Sequence, residues 1–143
     1  MTTVGEILVH KGNATVTLRT GNTVLDALNL MAENNVGSVV ITDADGSYKG
    51  VVTERDYSRK VVLKGKSSTQ TFVEEIMSTD LPTVTPRDTV ERCMQLMSDK
   101  NIRYLPVFNG SAFVGIISMS DVVKATILAQ QETIHHLQQY ISL

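Results

Sequence analysis

A hydroxyl and a carboxylate stand three residues apart at two places in the chain, Thr53 with Asp56 and Ser118 with Asp121. Each pair directly follows a glycine and two branched apolar residues, Gly50-Val51-Val52 and Gly115-Ile116-Ile117. Such a sequence reads as a buried strand running into a helix, where exposed backbone N–H groups receive an anion. A carboxylate facing the mouth of that junction accepts hydrogen bonds from both hydroxyls of a ribose, while the hydroxyl and nearby cations meet phosphate oxygens. The same atoms also compose a capping box, in which the hydroxyl and the acid satisfy backbone donors at the helix start without any ligand. The glycine ahead of each pair lets another group approach the strand closely. Both uses stay open at this level.

The elements that must position these groups occur twice. At an offset of 66, Thr17, Thr23, Val24, Leu30, Met31 and Asn35 fall on Thr83, Thr89, Val90, Leu96, Met97 and Asn101. Slipping by one residue in the turn aligns Gly50 with Gly115, which makes the chain a duplication of a unit of about 60 residues. Even the openings agree, since Val4-Gly5-Glu6-Ile7-Leu8 reads like Val73-Glu74-Glu75-Ile76-Met77.

Within each copy, Thr23 and Thr89 cap amphipathic helices whose apolar faces carry Val24, Leu28 and Met31, or Val90, Met94 and Met97. Apolar runs at 38–41 and 104–107, turns at 43–46 and 109–110, and second strands ending in the signature follow. The expected unit is a leading helical turn, strand, helix, strand, hairpin turn, strand and helix. This is an α/β (α+β) fold of two pseudo-symmetric repeats, each a small three-stranded sheet with two helices, and the halves should pack together. The expected boundaries are 1–63 for the first repeat, 64–72 for a linker, 73–128 for the second repeat and 129–143 for a C-terminal helical extension. In that extension Val123, Ile127, Ile134, Leu137 and Ile141, with Gln130 between, alternate spacings of four and three like a coiled-coil seam. Either another helix of the same subunit or a dimer partner would cover it.

Composition narrows the function classes. At 143 residues with 42% apolar and 20% charged residues, the chain has ordinary globular composition. A net charge of −2 gives no general attraction to nucleic acid or anionic lipid, and the basic stretch of Arg55, Arg59, Lys60, Lys64 and Lys66 reads as a solvated face. No apolar run is long enough to span a bilayer and the opening residues lack a secretion signal, so the expected location is cytoplasmic. The single cysteine, Cys93, sits at an apolar helical position and reads as core. Gly65-Lys66-Ser67 lacks the preceding glycine of a phosphate loop, because Lys60 stands there. Asp43-Ala44-Asp45-Gly46 lacks the first and last ligands of a calcium loop. His135 and His136 point about 100° apart on a helix and have no third ligand, so no metal site is expected. Nothing resembles a nucleophile with its base, and no turnover is expected.

The stretches Thr83-Val84-Thr85-Pro86-Arg87-Asp88-Thr89-Val90, Asn101-Ile102-Arg103-Tyr104-Leu105-Pro106-Val107 and Gly115-Ile116-Ile117-Ser118-Met119-Ser120-Asp121 closely resemble the cystathionine-beta-synthase (CBS) domain. Two in tandem resemble a Bateman module, and residues 54–68 are similar to the first-repeat exit of small stand-alone CBS-pair proteins. The resemblance implies a regulatory, non-enzymatic module with two clefts between paired sheets, binding adenosine-containing ligands such as AMP, ADP, ATP, NAD(H) or S-adenosylmethionine. It also implies a flat homodimer; either an unidentified protein target reads its state or the module simply senses and buffers ligand. Carried over by motif, Asp56 and Asp121 would hold the ribose, and Thr53 and Ser118 would contact ribose or phosphate. Thr17 and Thr83 would lie by the base, Val36 and Ile102 would wall the clefts, and Arg55 and Arg103 would meet phosphate. Met119 belongs to the second set.

The copies differ where it matters: the second has Pro86, Arg103 and Pro106 where the first has Thr20, Gly37 and Val40. The two clefts should therefore differ in affinity, and the basic residues near the first could suit a dinucleotide. A purely structural dimerisation module is the rival reading, and an enzyme acting on nucleotides is the third.

Overall fold

Two compact units form, and the chain is not divided between them where the sequence repeats meet. In the computed structural model, which describes residues 2–12 and 15–142, Thr15–Leu81 makes one unit and Met1–Ala14 joins Pro82–Leu143 in the other.

In the first of these, β1 (Thr17–Arg19) runs parallel to β2 (Ser38–Thr42), and β2 pairs antiparallel with β3 (Tyr48–Thr53). A parallel pair needs a crossover, and α2 (Val24–Asn34) supplies it. Thr23 caps that helix reciprocally with Asp26, and Asn35, in the left-handed region at φ 52°, ends it. The turn after β2 is a hairpin: Asp43 Oδ1 accepts from the Asp45 and Ser47 backbone N–H groups at 3.2 and 3.0 Å. From β3 the chain enters α3 (Glu54–Tyr57) and then a π-helical turn, Ser58–Val62.

Residues 64–72, expected from composition to be a linker, are mostly exposed and touch α2 through two backbone carbonyls. The backbone N–H groups of Val24 and Leu25 lie at the helix start, where no intrahelical acceptor exists, and they donate to the carbonyls of Thr71 and Ser68 at 2.9 Å each. Thr71 is buried. The following turn, α4 (Val73–Ile76), sends Val73 and Ile76 into the same core as Val24, Ala27, Met31, Val39, Ile41 and Val52.

The other unit repeats this plan with a different leading segment. Here α1 (Val4–Lys11) delivers Val4 and Ile7 into a core with Val84, Val90, Cys93, Met97, Leu105, Val107, Ile117 and Val122. The crossover helix is α5 (Val90–Lys100), the hairpin is β4 (Tyr104–Asn109) with β5 (Ala112–Ser118), and α6 (Met119–Ser142) follows. Each leading turn therefore completes the unit built from the other repeat's strands.

The second sheet has two full strands rather than three, its first strand reduced to a parallel bridge between Val84 and Val107. Proline explains the loss. In the first unit the Thr20 and Val40 N–H groups bond the carbonyls of Thr42 and Val16 at the two ends of the β1–β2 ladder. Pro86 and Pro106 hold the equivalent positions and have no N–H to give. Only the two bonds flanking Val84 remain, from Val84 N to Pro106 O and from Phe108 N to Val84 O, at 3.0 and 2.9 Å.

One expected core residue moves outward. Met94 is 40% exposed, and its neighbour Cys93, standing where the first repeat has Ala27, is fully buried instead. Burial pushes the Cys93 thiol up to about 11. We expect Ellman's reagent at pH 8 to leave native Cys93 unmodified and to titrate one thiol per chain once denaturant is added. Rapid native labelling would contradict the packing.

Candidate functional site

Parallel β1–β2 and antiparallel β2–β3 pairing bring the starts of two strands and the end of the third to one edge. Thr17 opens β1, Val36 and Gly37 lead into β2, and Thr53 closes β3, opposite Ser38. The same topology in the other unit gathers Thr83, Ile102, Arg103 and Ser118, with Tyr104 opposite Ser118. The predicted residues thus form two sets, one in each unit. Backbone capping ties the edge together: the Glu54 N–H donates to the Gly37 carbonyl at 3.2 Å, and Met119 N–H to the Arg103 carbonyl at 2.8 Å. Thr17, Val36, Thr83, Arg103 and Met119 are exposed there, and Arg55 and Ile102 are half-buried.

Both signatures make the capping box that their spacing allows. Thr53 Oγ1 accepts from the Asp56 N–H at 3.1 Å and Asp56 Oδ2 accepts from the Thr53 N–H at 2.9 Å. The corresponding distances for Ser118 and Asp121 are 3.1 and 2.9 Å. Local geometry is the same, but the surroundings are not.

Asp56 is 4% exposed and its acceptor capacity is filled. Oδ2 also receives the Thr53 hydroxyl at 3.0 Å, while Oδ1 receives the Ser78 hydroxyl and the Lys60 ammonium at 2.8 Å each. Four donors occupy about four lone-pair positions. Lys60 is itself tethered, donating to the Ile76 carbonyl at 2.9 Å.

Asp121 is less committed. Its Oδ2 accepts from Ser118 N–H and from the Lys11 ammonium, the latter at 2.8 Å, and Lys11 also donates to the Ile116 carbonyl at 3.0 Å. Oδ1 has no hydrogen-bond partner among the described residues. Asp121 also borders an open cavity of about 450 Å³ between α1 and α6, with Glu6, His10, Lys11, Lys124 and Leu128 on its walls. That volume lies in the range of small-molecule sites. Thr83, Ile102 and Arg103 are not on its walls.

Both aspartates therefore hold a lysine that the motif did not supply. Lys60 was legible in principle, four residues after Asp56 on one helix, though it read as part of a solvated basic face. Lys11 and Ser78 lie in the leading segments, remote in sequence from any local signal. The signature glycines share that origin. A Cβ on Gly50 would sit 2.8 Å from the Ser78 carbonyl, and one on Gly115 would sit 2.9 Å from Leu8 Cδ2. The close approach they permit is by the protein's own leading segments.

Among the described residues no group of histidine, cysteine and acidic side chains could hold a metal, and no helix is long and apolar enough to cross a membrane. The sequence matches the CBS domain over residues 4–62 and 73–127. It is 37% identical over 148 aligned residues to the CBS domain-containing protein CBSX3, mitochondrial, of Arabidopsis thaliana, spanning 98% of this chain and 72% of that one. Among solved structures, a CBS-domain protein from Burkholderia ambifaria superposes with a TM-score of 0.84 at 42% identity, over 90% of this chain and 96% of the other. The hexameric CBS-CP12 protein from bloom-forming cyanobacteria gives 0.71 at 33% identity, over 85% and 70%.

Proposed function

From a chain that belongs to the CBS-domain family, with two copies of that domain in tandem, we propose a module that binds an adenine nucleotide or adenine dinucleotide. A regulatory role is general to such pairs. The ligand reading rests on one observation above the others: Asp121 keeps an oxygen without a hydrogen-bond partner among the described residues and borders a cavity of ligand size. Ribose hydroxyls would donate to that carboxylate while its capping bond to Ser118 stays intact. Lys11, on the cavity wall beside Asp121, would answer phosphate charge by Coulomb attraction and charge-assisted hydrogen bonds, whereas Thr83, Ile102 and Arg103 lie off that wall and are carried over from the family motif alone.

The first site would bind more weakly. Ribose there must displace Ser78 or Lys60 from Asp56, and each charge-assisted bond surrendered offsets much of the one gained. For this half of the chain the saturated carboxylate favours the rival reading, a structural cap. Thr53 and Asp56 then stabilise the strand-helix junction, with Thr17, Val36 and Arg55 beside it.

Occupancy becomes a signal only if ligand prefers one of two arrangements of the protein. In this proposal a homodimer carries that difference to a protein target, in the cytoplasm and without catalysis. Calorimetric titration with AMP, ATP and NADH tests the ligand part. One ligand should bind with a single dominant site per chain, and at a hundred times its dissociation constant it should add about 2.7 kcal/mol of stability. Two sites of equal affinity would refute the asymmetry, and heatless titration with no thermal shift for any adenylate would refute binding.

A further inference from the structure

The C-terminal two-thirds of α6 buries no side chain among the described residues. Every described residue from Ile127 to Ser142 is exposed, and along one face Val123, Ile127, Ile134, Leu137 and Ile141 are 50, 48, 54, 56 and 81% open to solvent. An isolated segment of this length is marginal as a helix in water, and this one carries four glutamines and three isoleucines with a single alanine. A partner must cover the stripe.

Its composition identifies the partner. Spacings of four and three put Ile127, Ile134 and Ile141 at the a positions of a heptad and Val123, Gln130 and Leu137 at the d positions. Isoleucine fills all three a positions and leucine one of the three d positions, and β-branched a residues with leucine at d favour two parallel strands. The flanking e and g positions are Lys124, Thr126, Gln131, Thr133, Gln138 and Tyr140, with a single charge among them. An identical helix is not repelled, and neither a strongly charged partner helix nor an anionic membrane is attracted.

Gln130 fixes the orientation. In an antiparallel pair each d residue layers against an a residue, so its amide would face an isoleucine and lose its hydrogen bonds. In a parallel, in-register pair Gln130 meets Gln130, and each amide has a donor and an acceptor opposite it. We infer that α6 forms a parallel, in-register two-stranded coiled coil with α6 of a second copy of this chain, with Gln130 pinning the register. This deepens the homodimer part of the functional reading and needs no nucleotide.

Sedimentation equilibrium of the full chain, without nucleotide, tests it. The wild-type chain should be dimeric at tens of micromolar, and Leu137→Lys should raise the dissociation constant by about a hundredfold or more, since it puts two cations in an apolar seam. Leu137 is exposed in the single chain, so the units should stay folded, which near-native hydrogen exchange in β2–β3 and β4–β5 would verify. Ile141→Cys should cross-link to itself under mild oxidation, while a Val123→Cys chain mixed with an Ile141→Cys chain should give no mixed disulfide. A monomeric wild type, a dimer indifferent to Leu137→Lys, or the mixed cross-link would each overturn the proposal. Titration of the same samples with AMP, ATP and NADH keeps the two readings separate, because loss of adenylate binding would leave this result untouched.

Discussion

Asp121→Ala is expected to weaken adenylate binding about ten- to a hundred-fold at a stability cost of only about 1 kcal/mol, the loss of a capping acid. Asp56→Ala should do the reverse. Removing its carboxylate strands the Thr53 N–H, the Thr53 hydroxyl and the Ser78 hydroxyl around a nearly solvent-free position, and the expected loss is about 3 kcal/mol. The Lys60 and Lys11 contacts add little to either figure, because both ammonium groups remain partly in water. Denaturant titration and calorimetry on both variants give a two-by-two outcome. If Asp121→Ala binds as the wild type does, the second signature is a cap and no more. If instead Asp56→Ala loses binding with its stability unchanged, the assignment of the two sites is inverted.

The second large effect concerns Gly50. Alanine there would put a methyl group 2.8 Å from the Ser78 carbonyl and 3.1 Å from Met77 Cγ and Sδ. The obstruction is backbone, and that backbone is held in place by reciprocal bonds between Val51 and Ser78 at 2.8 and 3.0 Å. It has no room to retreat. We expect Gly50→Ala to cost about 1–3 kcal/mol and to raise hydrogen exchange first at Val51 and Ser78. Gly115→Ala meets only the end of the flexible Leu8 side chain, which can move, but Gly115 holds φ 159°, so its cost comes from backbone strain rather than from the contact. Equal and small effects at both positions would show that the leading segments do not lie against these strands.

What could be read in the sequence was local. Thr23 and Thr89 announced helix starts, and the α6 periodicity announced its length, because capping and a 3.6-residue period depend on neighbours a turn away. The signature announced its own capping boxes for the same reason. Met94 against Cys93 was harder, since both lie near the apolar face and the choice depends on what the sheet offers across the gap. The loss of the second sheet's first strand was legible only after the ladder bonds were known, although Pro86 and Pro106 were noted as differences. The composition of 64–72 could not show that this stretch lends the carbonyls of Ser68 and Thr71 to the start of α2, because composition does not register backbone acceptors. Lys11, Ser78 and the glycine contacts depend on which segment crosses which sheet. No pattern within a repeat encodes that.

The exchange of leading turns sets an order of events on the ribosome. Thr15–Leu81 is continuous, so once it has emerged every contact within that unit is available to it. Val4 and Ile7 emerge earlier but have no core to enter until Val84, Leu105 and Ile117 follow. The N-terminal segment therefore has no core to cover its apolar face until then, and the unit holding Asp121 closes after Thr15–Leu81 can.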